Sequence, residues 1–506
     1  MTKLEYIFTL LALFCMSLYS NLNKETIVLI CLTLSESTIE AAVEVVKSQR
    51  QYIDMAELRL DFLTKEECAR ACTFPSLVDV PCIVTNRRVQ DGGRCALSEK
   101  QRRAQLLAAM DGDFKYIDIE EDLKRGELDE KAERRGIKII RSLHDFEKVP
   151  DDIFSRIQQL RKRADVAKVA VTPRGIADVI TLFNAQKELE GTDKIIIGMG
   201  PYGIATRILY KRMGSLLTFC SDNQTAPGQL SARLLKQLYR ADQVNDKTAI
   251  YGIIGNNVTD SLSPFIHNPG FVGIKYNAIY VPFLVDSVRS FFVLAETLRL
   301  RGFSVTVPFK IEVLSYCGNI TREVKQIGAC NTVVRMPGMW KAINTDYYGF
   351  LQPIEKDIDA GKIRTALVIG AGGASNAIVW ALRNRNVKVT ILNRTLSRAQ
   401  KIAAINICSF DRLENYRNYE GQVDLIVQTT PVGYDSWENP IEGFRLTGSE
   451  ICYDIVTKPR ETKFLADARA AGCSVHYGLE MLIAQGRLQF EAFTGYHFPR
   501  SVQLDL

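Results

Sequence analysis

The sequence predicts an α/β protein in which an N-terminal (β/α)8 TIM barrel is followed by a two-domain α/β region with a Rossmann domain. Two observations predict this fold class. Between about residues 26 and 235, eight short apolar runs alternate with helical stretches, which is the count and spacing of a (β/α)8 barrel. After residue 361, a strand, a Gly-rich turn, a helix and a second strand follow in that order, as in a βαβ nucleotide-binding unit.

The eight runs predict the barrel strands in order. They are Ile27–Ile30, Met55–Leu60, Cys82–Thr85, Tyr116–Ile119, Lys138–Ser142, Val166–Val171, Lys194–Ile197 and Leu216–Phe219. The polar stretch Asp242–Lys247 then predicts a linker, so that the barrel is expected over residues 26–241. A second α/β pattern starts at Ala249–Gly255 and a third at Arg364–Gly370, which predicts one domain over 248–360 and a Rossmann domain over 361–477.

The composition is that of an ordinary globular protein. The chain of 506 residues has 46% hydrophobic and 24% charged residues, which excludes disorder as its main state. Its 64 Lys+Arg against 58 Asp+Glu give a net charge of +6, and no dense basic run is interleaved with aromatic residues. We therefore expect small anionic substrates and no nucleic-acid partner.

The cysteines indicate a reducing compartment, because several of the 12 lie in apolar runs and no CxxC pair occurs. With only four His and no HExxH motif, no metal site is expected. Ahead of the barrel, residues 1–25 form an apolar extension around Ile7–Tyr19, which we interpret as a mis-assigned start or an extra packed segment. An export or membrane signal is the alternative, but the expected location is cytoplasmic, without a membrane partner.

Several polar residues lie at, or just after, predicted barrel strands, where catalytic groups of such barrels are found. They are Glu57, Arg59, Arg87, His144, Lys168 and Arg207. Lys168 lies inside an otherwise apolar strand, and desolvation lowers the pKa of a buried ammonium, which favours a nucleophile able to form a Schiff base. The alternative is a buried stem with a solvated head. His144, at another strand end, could serve as the general base.

The Gly-rich turn predicts a dinucleotide site. The residues Gly370, Ala371, Gly372, Gly373 and Ala374 follow a strand and open a helix, where backbone N–H groups and the helix dipole favour a pyrophosphate. The next strand ends at Asn393, Arg394 and Thr395, with Arg398 nearby. An acid at this place would bind the ribose of NAD, whereas Arg accommodates a 2′-phosphate, so NADP (as NADPH) is the expected cofactor.

Residues 249–350 carry a second set of polar groups. Lys310 follows the short strand containing Thr306, and Asp346 follows Asn344 and Thr345. A Lys that donates a proton to a developing alkoxide, and an Asp that keeps it charged, suit a carbonyl reductase. Each residue alone could equally be a turn or cap residue, as could the hydroxyls of Ser261 and Ser263 and the amide of Asn331.

Four motifs of the barrel resemble type I 3-dehydroquinate dehydratase. They are Glu57-Leu58-Arg59-Leu60-Asp61, Ser142-Leu143-His144-Asp145-Phe146, Ala164–Ala170 and Ala226-Pro227-Gly228-Gln229. The resemblance implies a Schiff base between Lys168 and the C3 ketone, with His144 moving the C2 proton. It implies that substrate is bound by Glu57, Arg59, Arg87, Arg207, Thr225 and Gln229, with Arg207 on the carboxylate. Asp91 stands where the family usually has the Glu that orients the His, and Thr225 where Ser is common.

From about Tyr251 onward the chain resembles shikimate dehydrogenase. The resemblance implies that Lys310 and Asp346 form the catalytic pair and that the substrate is bound by Ser261, Ser263, Thr306, Asn331 and Gln485. The motif Gly478-Leu479-Glu480-Met481-Leu482 resembles the C-terminal helix that returns to the substrate-binding domain, which extends that domain to 478–506, with Gly478 at the cofactor. Thr457 replaces a usual Tyr, and Ser304 a common Asn.

Together the resemblances imply a bifunctional 3-dehydroquinate dehydratase/shikimate dehydrogenase. The barrel would convert 3-dehydroquinate to 3-dehydroshikimate, and the second half would reduce that ketone to shikimate. Three alternatives remain at this point: a chain with one inactive half, a ligand sensor that keeps the folds without turnover, and an enzyme of the related quinate series. The sequence leaves the oligomeric state open.

Overall fold

The computed structural model describes residues 29–185, 193–223 and 225–506. The chain forms two compact units that divide after Asp246, within the predicted linker. The apolar run Ile7–Tyr19 lies outside the described residues. The predicted α/β class, with a barrel followed by Rossmann-type sheets, is confirmed.

In the described part of the first unit, eight strands form one sheet. They are β1 (Leu29–Leu34), β2 (Met55–Arg59), β3 (Cys82–Thr85), β4 (Tyr116–Glu120), β5 (Lys138–Asp145), β6 (Val166–Val171), β7 (Lys194–Gly198) and β8 (Leu217–Cys220). All the paired strands run parallel, in the order β7-β6-β5-β4-β3-β2-β1-β8. The two outer strands meet where the Leu216 N–H donates to the Lys194 carbonyl over 2.7 Å, which completes the barrel.

Helices alternate with these strands. They are α1 (Ile39–Gln49), α2 (Lys65–Arg70), α3 (Glu99–Ala109), α4 (Glu127–Arg135), α5 (Ile153–Arg161), α6 (Ile176–Ala185) and α7 (Gly200–Ile208). Local sequence explains where they begin. Thr38 caps α1 by accepting from the Ala41 N–H, and Ser98 and Gln101 form a capping box at α3. The apolar face of α1 then buries residues such as Val46 against the sheet.

The second unit contains two sheets in its described residues. The first has the order β10-β9-β11-β13-β14-β12 and mixes parallel pairs with the antiparallel pairs β11/β13 and β13/β14. Its strands are β9 (Ala249–Gly255), β10 (Ala278–Leu284), β11 (Gly302–Val305), β12 (Asn319–Ile320), β13 (Thr332–Met336) and β14 (Met339–Ile343). Its helices are α8 (Ser263–Gly273), α9 (Val288–Thr297), α10 (Arg322–Ile327) and α11 (Asp346–Asp359).

The other sheet is parallel and has the order β17-β16-β15-β18-β19-β20, which is the 3-2-1-4-5-6 order of a Rossmann domain. Its strands are β15 (Thr365–Ile369), β16 (Lys388–Asn393), β17 (Ser409–Arg412), β18 (Leu425–Gln428), β19 (Ile451–Asp454) and β20 (Ser474–His476). The remaining helices are α12 (Gly373–Asn384), α13 (Leu396–Asn406), α14 (Lys463–Ala470) and α15 (Gly478–Thr494).

Helix α15 leaves the Rossmann sheet and packs its far end against the mixed sheet. Phe490 and Phe493 are buried with Tyr251, Phe271 and Tyr280 in one aromatic core. This packing fixes the helix over the cavity of the second unit. Among the described residues, none of the helices combines the length and the apolar composition that a membrane span requires.

Candidate active sites

The barrel site is built around a buried ion pair between two strands. Lys168 in β6 places its Nζ 2.8 Å from Oδ2 of Asp118 in β4, and both side chains are buried. The ammonium also lies 4.3 Å from the ring centre of Phe219 in β8. Because an unpaired ammonium in a barrel interior is costly, Asp118 explains how an apolar strand can carry this lysine.

Arg87, which follows β3, adds a second cation to the same carboxylate. Its Nη2 lies 2.8 Å from Asp118, and its Nη1 donates to Glu120 and to the Ser142 hydroxyl. Burial alone would raise the pKa of Asp118, but the charges of Arg87 and Lys168 lower it well below its usual value. Asp118 is therefore ionised at neutral pH and holds Lys168 in place.

His144 lies at the end of β5, in the cavity that contains Lys168. Burial, and then the nearby charges of Arg87 and Lys168, lower its pKa well below the ordinary value. The imidazole is therefore neutral at pH 7 and can accept a proton. Its Nδ1 is buried and has no hydrogen-bond partner among the described residues.

The predicted contact between Asp91 and His144 is not formed in this structure. Asp91 closes a short 3-10 turn over Val89–Asp91, and its carboxylate lies 2.6 Å from Nε of Arg88. Arg88 in turn binds Asp122 through two hydrogen bonds. The short aspartate side chain finds this partner three residues away, so it lines the cavity without reaching Nδ1 of His144.

The remaining predicted barrel residues line the same cavity. They are Glu57, Arg59, Arg87, Arg207, Thr225 and Gln229. Glu57 accepts hydrogen bonds from Thr33 (2.9 Å) and Thr85 (2.7 Å), and both nitrogens of the Arg59 fork contact Asp61. The cavity has a volume of about 60 Å³.

Arg207, in α7, is a buried cation without a carboxylate partner in the described chain. It donates to the backbone carbonyls of Phe219 and Pro227, and its Nε has no partner. Burial lowers its pKa to about 10. The site therefore has a guanidinium whose charge a substrate carboxylate would compensate. Beside it, Gln229 accepts from the Thr225 hydroxyl and fixes the loop.

The second site is also built around a lysine–aspartate pair. Nζ of Lys310 lies 2.6 Å from Oδ2 of Asp346, the first residue of α11. The other Asp346 oxygen accepts from Nδ2 of Asn331 over 2.8 Å, and that amide group lies 3.1 Å from Oε1 of Gln485 in α15. One network therefore joins a loop, α11 and α15 around Lys310.

The pair opens into a cavity of about 470 Å³, which is within the range of small-molecule sites. Predicted substrate-binding residues on its wall are Ser261, Ser263, Thr306, Asn331 and Gln485. Ala374 and Gly478, which were predicted at the cofactor, also line it, as does Thr457. The second cavity therefore gathers groups from both sheets of the second unit.

The Gly-rich turn leads from β15 into α12 and approaches this cavity. Gly370 has φ +110°, a backbone conformation that favours glycine. A Cβ on Gly373 would lie 3.3 Å from Cδ of Lys310, whereas a Cβ on Gly372 would meet no atom within 4 Å. The turn thus passes beside the lysine and, with Ala371, keeps open space at the N-terminus of α12.

The end of β16 carries the other predicted cofactor residues. Asn393 donates to the Thr395 carbonyl over 2.8 Å, which shapes the turn into α13. Arg394 and Arg398 are exposed, and neither forms an ion pair with the described residues. Gly478 begins α15 on the other side of the sheet, where a Cβ would lie 2.4 Å from the Val456 carbonyl oxygen.

The sequence pattern missed three residues that the geometry places in these sites. Asp118 could have been noticed as a carboxylate between two isoleucines of a predicted strand, as Lys168 was between valines and alanines. Ser304 was noted as a departure from its family but not assigned to the site, and Gln489 was not noted at all. Both line the cavity of the second unit, and Gln489 lies one helical turn after Gln485.

These features define a chain with two enzyme sites: a lyase barrel with a buried lysine beside a neutral histidine, and a Rossmann-type reductase with a lysine–aspartate pair. Family comparisons agree with this class. Residues 30–246 match the type I 3-dehydroquinase family, residues 253–333 the shikimate dehydrogenase substrate binding domain, and residues 354–433 the shikimate/quinate 5-dehydrogenase family.

A curated relative spans both halves. The bifunctional 3-dehydroquinate dehydratase/shikimate dehydrogenase, chloroplastic, of Arabidopsis thaliana is 32% identical over 94% of this chain and 83% of its own length. The chain belongs to this bifunctional family, and its two enzyme activities are those of a type I dehydroquinase and a shikimate dehydrogenase.

Other relatives match the second half. The shikimate dehydrogenase (NADP(+)) of Caldanaerobacter subterraneus subsp. tengcongensis is 34% identical over 51% of this chain and 96% of its own length. A crystal structure of shikimate dehydrogenase from Aquifex aeolicus is 34% identical, covers 51% of this chain and 96% of its own, and has a TM-score of 0.48.

Proposed function

We propose that the chain catalyses two consecutive steps of the shikimate pathway with the residues assembled in its two cavities. The barrel dehydrates 3-dehydroquinate to 3-dehydroshikimate through Lys168 and His144, and the second unit reduces 3-dehydroshikimate to shikimate through Lys310 and Asp346. The observation that carries this assignment is that each cavity holds a lysine paired with a buried aspartate, Lys168 with Asp118 and Lys310 with Asp346.

In the barrel, Lys168 passes its ammonium proton to His144, and its neutral Nζ attacks the C3 ketone. Loss of water, with that proton returned by His144, gives a protonated imine. Neutral His144 takes the C2 proton, the electron pair forms the C1–C2 double bond, and the C1 hydroxyl leaves with a proton returned by His144. Water then hydrolyses the imine and frees Lys168. Asp118 stabilises the positive charge of the protonated imine, because its carboxylate lies 2.8 Å from this nitrogen and is ionised.

We assign the orientation of the substrate in the barrel to the charged and polar residues that line the cavity. Arg207 receives the carboxylate, since its guanidinium has no carboxylate partner in the described chain. Glu57, Arg59, Arg87, Thr225 and Gln229 contact the hydroxyls and the ring. Asp91 keeps its proposed role of orienting His144, which requires that substrate entry release it from Arg88.

In the second unit, Lys310 gives a proton to the oxygen of the reduced ketone. Asp346 keeps Lys310 charged and aimed at the cavity, and Asn331 fixes the second Asp346 oxygen. Ser261, Ser263, Thr306 and Gln485 bind the carboxylate and the remaining hydroxyls. When bound, NADPH supplies the hydride for this reduction.

The chain's own residues fit NADP. The open space at Gly372, between Gly370 and Ala374, allows a pyrophosphate to approach the N-terminus of α12. Arg394 and Arg398 stand exposed at the end of β16, where a 2′-phosphate would lie, and Asn393 replaces the acid that would favour NAD.

The substitution Arg394→Ala should weaken NADP binding more than NAD binding when the two affinities are measured by titration. Equal losses of affinity would show that Arg394 does not contact the phosphate.

The domain limits proposed from the sequence are kept: 26–241, 248–360 with 478–506, and 361–477. The burial of Phe490 and Phe493 with Tyr251 supports the return of the C-terminal helix to the second domain.

The cytoplasm is kept as the proposed location, because the thiols of the described residues are free and several are buried. The proposed partners are the small-molecule substrates 3-dehydroquinate, 3-dehydroshikimate and shikimate.

The test is NADPH oxidation after mixing the chain with 3-dehydroquinate or, in parallel, with 3-dehydroshikimate. We expect both to consume NADPH, the first after a lag. Lys168→Ala should abolish the signal from 3-dehydroquinate and retain that from 3-dehydroshikimate. No signal from 3-dehydroshikimate with the unaltered chain would contradict the reductase and favour a sensor. A signal from 3-dehydroshikimate alone would show an inactive barrel.

A further inference from the structure

The loop that follows β3 carries two neighbouring arginines with different partners. Arg87 binds the buried Asp118, whereas Arg88 binds two carboxylates that lie nearer the surface. Nε of Arg88 lies 2.6 Å from Oδ2 of Asp91, and its two terminal nitrogens each donate to Asp122 over 2.9 Å. All three nitrogens of the Arg88 guanidinium are therefore engaged, and the group has a fixed orientation.

The backbone of the same turn keeps Asp91 beside Arg88. The Arg88 carbonyl accepts from the N–H groups of Asp91 (3.1 Å) and Gly93 (2.8 Å). Gly92 has φ +78°, which favours glycine, and a Cβ on Gly93 would lie 2.1 Å from the Arg87 carbonyl oxygen. The turn is therefore closely packed, and it presents the Asp91 carboxylate to the guanidinium.

The turn also lies next to His144. A Cβ on Gly92 would lie 2.2 Å from Cζ of Phe146, so the residue after Asp91 packs against this ring. The Phe146 ring stacks on the imidazole of His144, with 6.4 Å between the ring centres and 15° between the planes. Asp91 and His144 line one cavity, and Nδ1 of His144 is buried without a hydrogen-bond partner in the described chain. The cavity therefore offers the carboxylate a second partner, which stays unpaired while Arg88 holds Asp91.

We propose that Arg88 is a positioning residue of the dehydratase, which holds Asp91 away from His144 and keeps the general base without a carboxylate partner. Arg88 and His144 compete for a single carboxylate, because Asp91 is the one acidic residue of the turn over 88–93. A neutral side chain at position 88 ends this competition and lets Asp91 accept from His144. This inference rests on the proposed dehydratase function and deepens it, since Asp91 orients His144 only after it leaves Arg88.

The competition sets the protonation of His144, because a carboxylate beside an imidazole stabilises its charged form. Release of Asp91 therefore raises the pKa of His144, and the neutral base is lost at a higher pH. The other charged groups around the imidazole remain in place when position 88 is changed. They are Glu57, Arg59, Arg87, Asp118, Lys168 and Arg207.

The experiment follows the protonation of His144 by NMR in the full chain labelled with ¹³C-histidine, which has four histidines in all. The signal of His144 is the one that disappears in His144→Ala. In Arg88→Met the titration midpoint of this signal should rise by about one pH unit or more, the effect of an adjacent opposite charge. If Arg88→Met does not fold, Arg88→Gln replaces it, because it also removes the charge. A His144 that titrates alike in the unaltered chain and the variant, or in neither above the pH of unfolding, overturns the proposal.

The double variant Arg88→Met/Asp91→Asn identifies the route of the effect. Its midpoint should equal that of Asp91→Asn alone, because an amide carries no charge. A midpoint that stays high in the double variant would show that Arg88 acts on His144 by its own charge, and would overturn the proposal. Arg88→Lys should keep the original midpoint, since an ammonium can still hold Asp91.

Arg94→Met is the matched control, because it removes an exposed arginine of the same loop whose guanidinium lies 4.3 Å from the ring centre of Phe62. It should leave the His144 midpoint unchanged, and a rise equal to that of Arg88→Met would overturn the proposal. Absence of dehydration of 3-dehydroquinate by the unaltered chain would instead refute the proposed function, and it would not alter the His144 titrations.

Discussion

At the scale of single residues, the barrel contains two kinds of buried arginine. Arg141 is paired with Asp129 across a strand and a helix, whereas Arg207 has backbone carbonyls as its partners in the described chain. A buried charge without a counter-charge costs stability, and such a cost is understandable where a ligand supplies the missing charge. The two residues therefore allow a direct comparison.

Arg207→Met should raise the KM of the dehydratase for 3-dehydroquinate at least about thirtyfold, equivalent to about 2 kcal/mol, because the carboxylate loses its charged partner. The free energy of unfolding in urea should not fall, because an uncompensated charge is removed. Arg141→Met is the control, because it leaves the buried Asp129 carboxylate without its partner and should destabilise the chain by about 3 kcal/mol or more. A loss of stability in Arg207→Met equal to that of the control would contradict the carboxylate role.

His267 predicts how stability depends on pH. It is fully buried in the aromatic core of the mixed sheet, and burial lowers its pKa to about 3. An unfolded histidine has a pKa near 6.5, so between these values the unfolded chain binds a proton that the folded chain does not. The histidine thus stabilises the fold fully above about pH 6.5, and this contribution is lost as the pH falls toward 3.

His267→Phe keeps an aromatic ring against Tyr280 and removes the proton site. Between pH 7 and 4.5, this histidine should account for about 2.5 kcal/mol of the unaltered chain's loss of unfolding free energy. Urea midpoints of the second unit, followed by tyrosine and tryptophan fluorescence, should therefore decline less with acid in the variant. Parallel pH profiles of the two proteins would rule out His267 as a source of the acid sensitivity.

Some residues of the barrel site could be predicted from the sequence alone, and others could not. Lys168, His144 and Arg207 were predicted because a polar group at a strand end of a barrel is conspicuous. Asp118 was not predicted, because its role depends on the side chain that β6, two strands away in the barrel, brings to it. The Arg88 partner of Asp91 was not predicted, because the expected contact with His144 came from the family resemblance and not from the local sequence.

At the scale of elements, strands bounded by clear turns were predicted to the residue, as for β3 and β6. β5 continues three residues beyond the predicted Ser142, because His144 and Asp145 still pair with β6. That pairing places His144 in the strand itself and gives it a fixed orientation. The antiparallel hairpin of β13 and β14 was not predicted, although Pro337 and Gly338 between the two strands are a local turn signal.

The Gly-rich turn gives a prediction at this scale. Gly372→Ala should leave folding unchanged, because the added Cβ meets no atom within 4 Å. It should raise the Kd of NADPH at least about tenfold, equivalent to about 1.4 kcal/mol, because the Cβ fills space that the pyrophosphate needs. Gly126→Ala, at the N-cap of α4, is the matched control, with its nearest neighbour at 4.0 Å. NADPH fluorescence titration that gives equal Kd values for both variants would place the cofactor elsewhere.

At the scale of the whole molecule, each of the two units contains its own complete set of site residues. The groups around Lys168 come from residues before Asp246, and those around Lys310 from residues after it. Each cavity can therefore be inactivated without removing a residue of the other. The product of the barrel is the ketone that the second unit is proposed to reduce, so the chemistry links the units through a small molecule.

This separation predicts that two inactive chains complement each other. Lys168→Ala should lack dehydration and Lys310→Ala should lack reduction, yet an equal mixture should convert 3-dehydroquinate to shikimate with consumption of NADPH. A lag should precede the steady rate, because the intermediate must accumulate in solution before the second chain binds it. The unaltered chain at the same concentration of each site is the reference. A mixture that forms the enone but never consumes NADPH would show that the reductase cannot take its substrate from solution, and that the two sites do not act as independent enzymes.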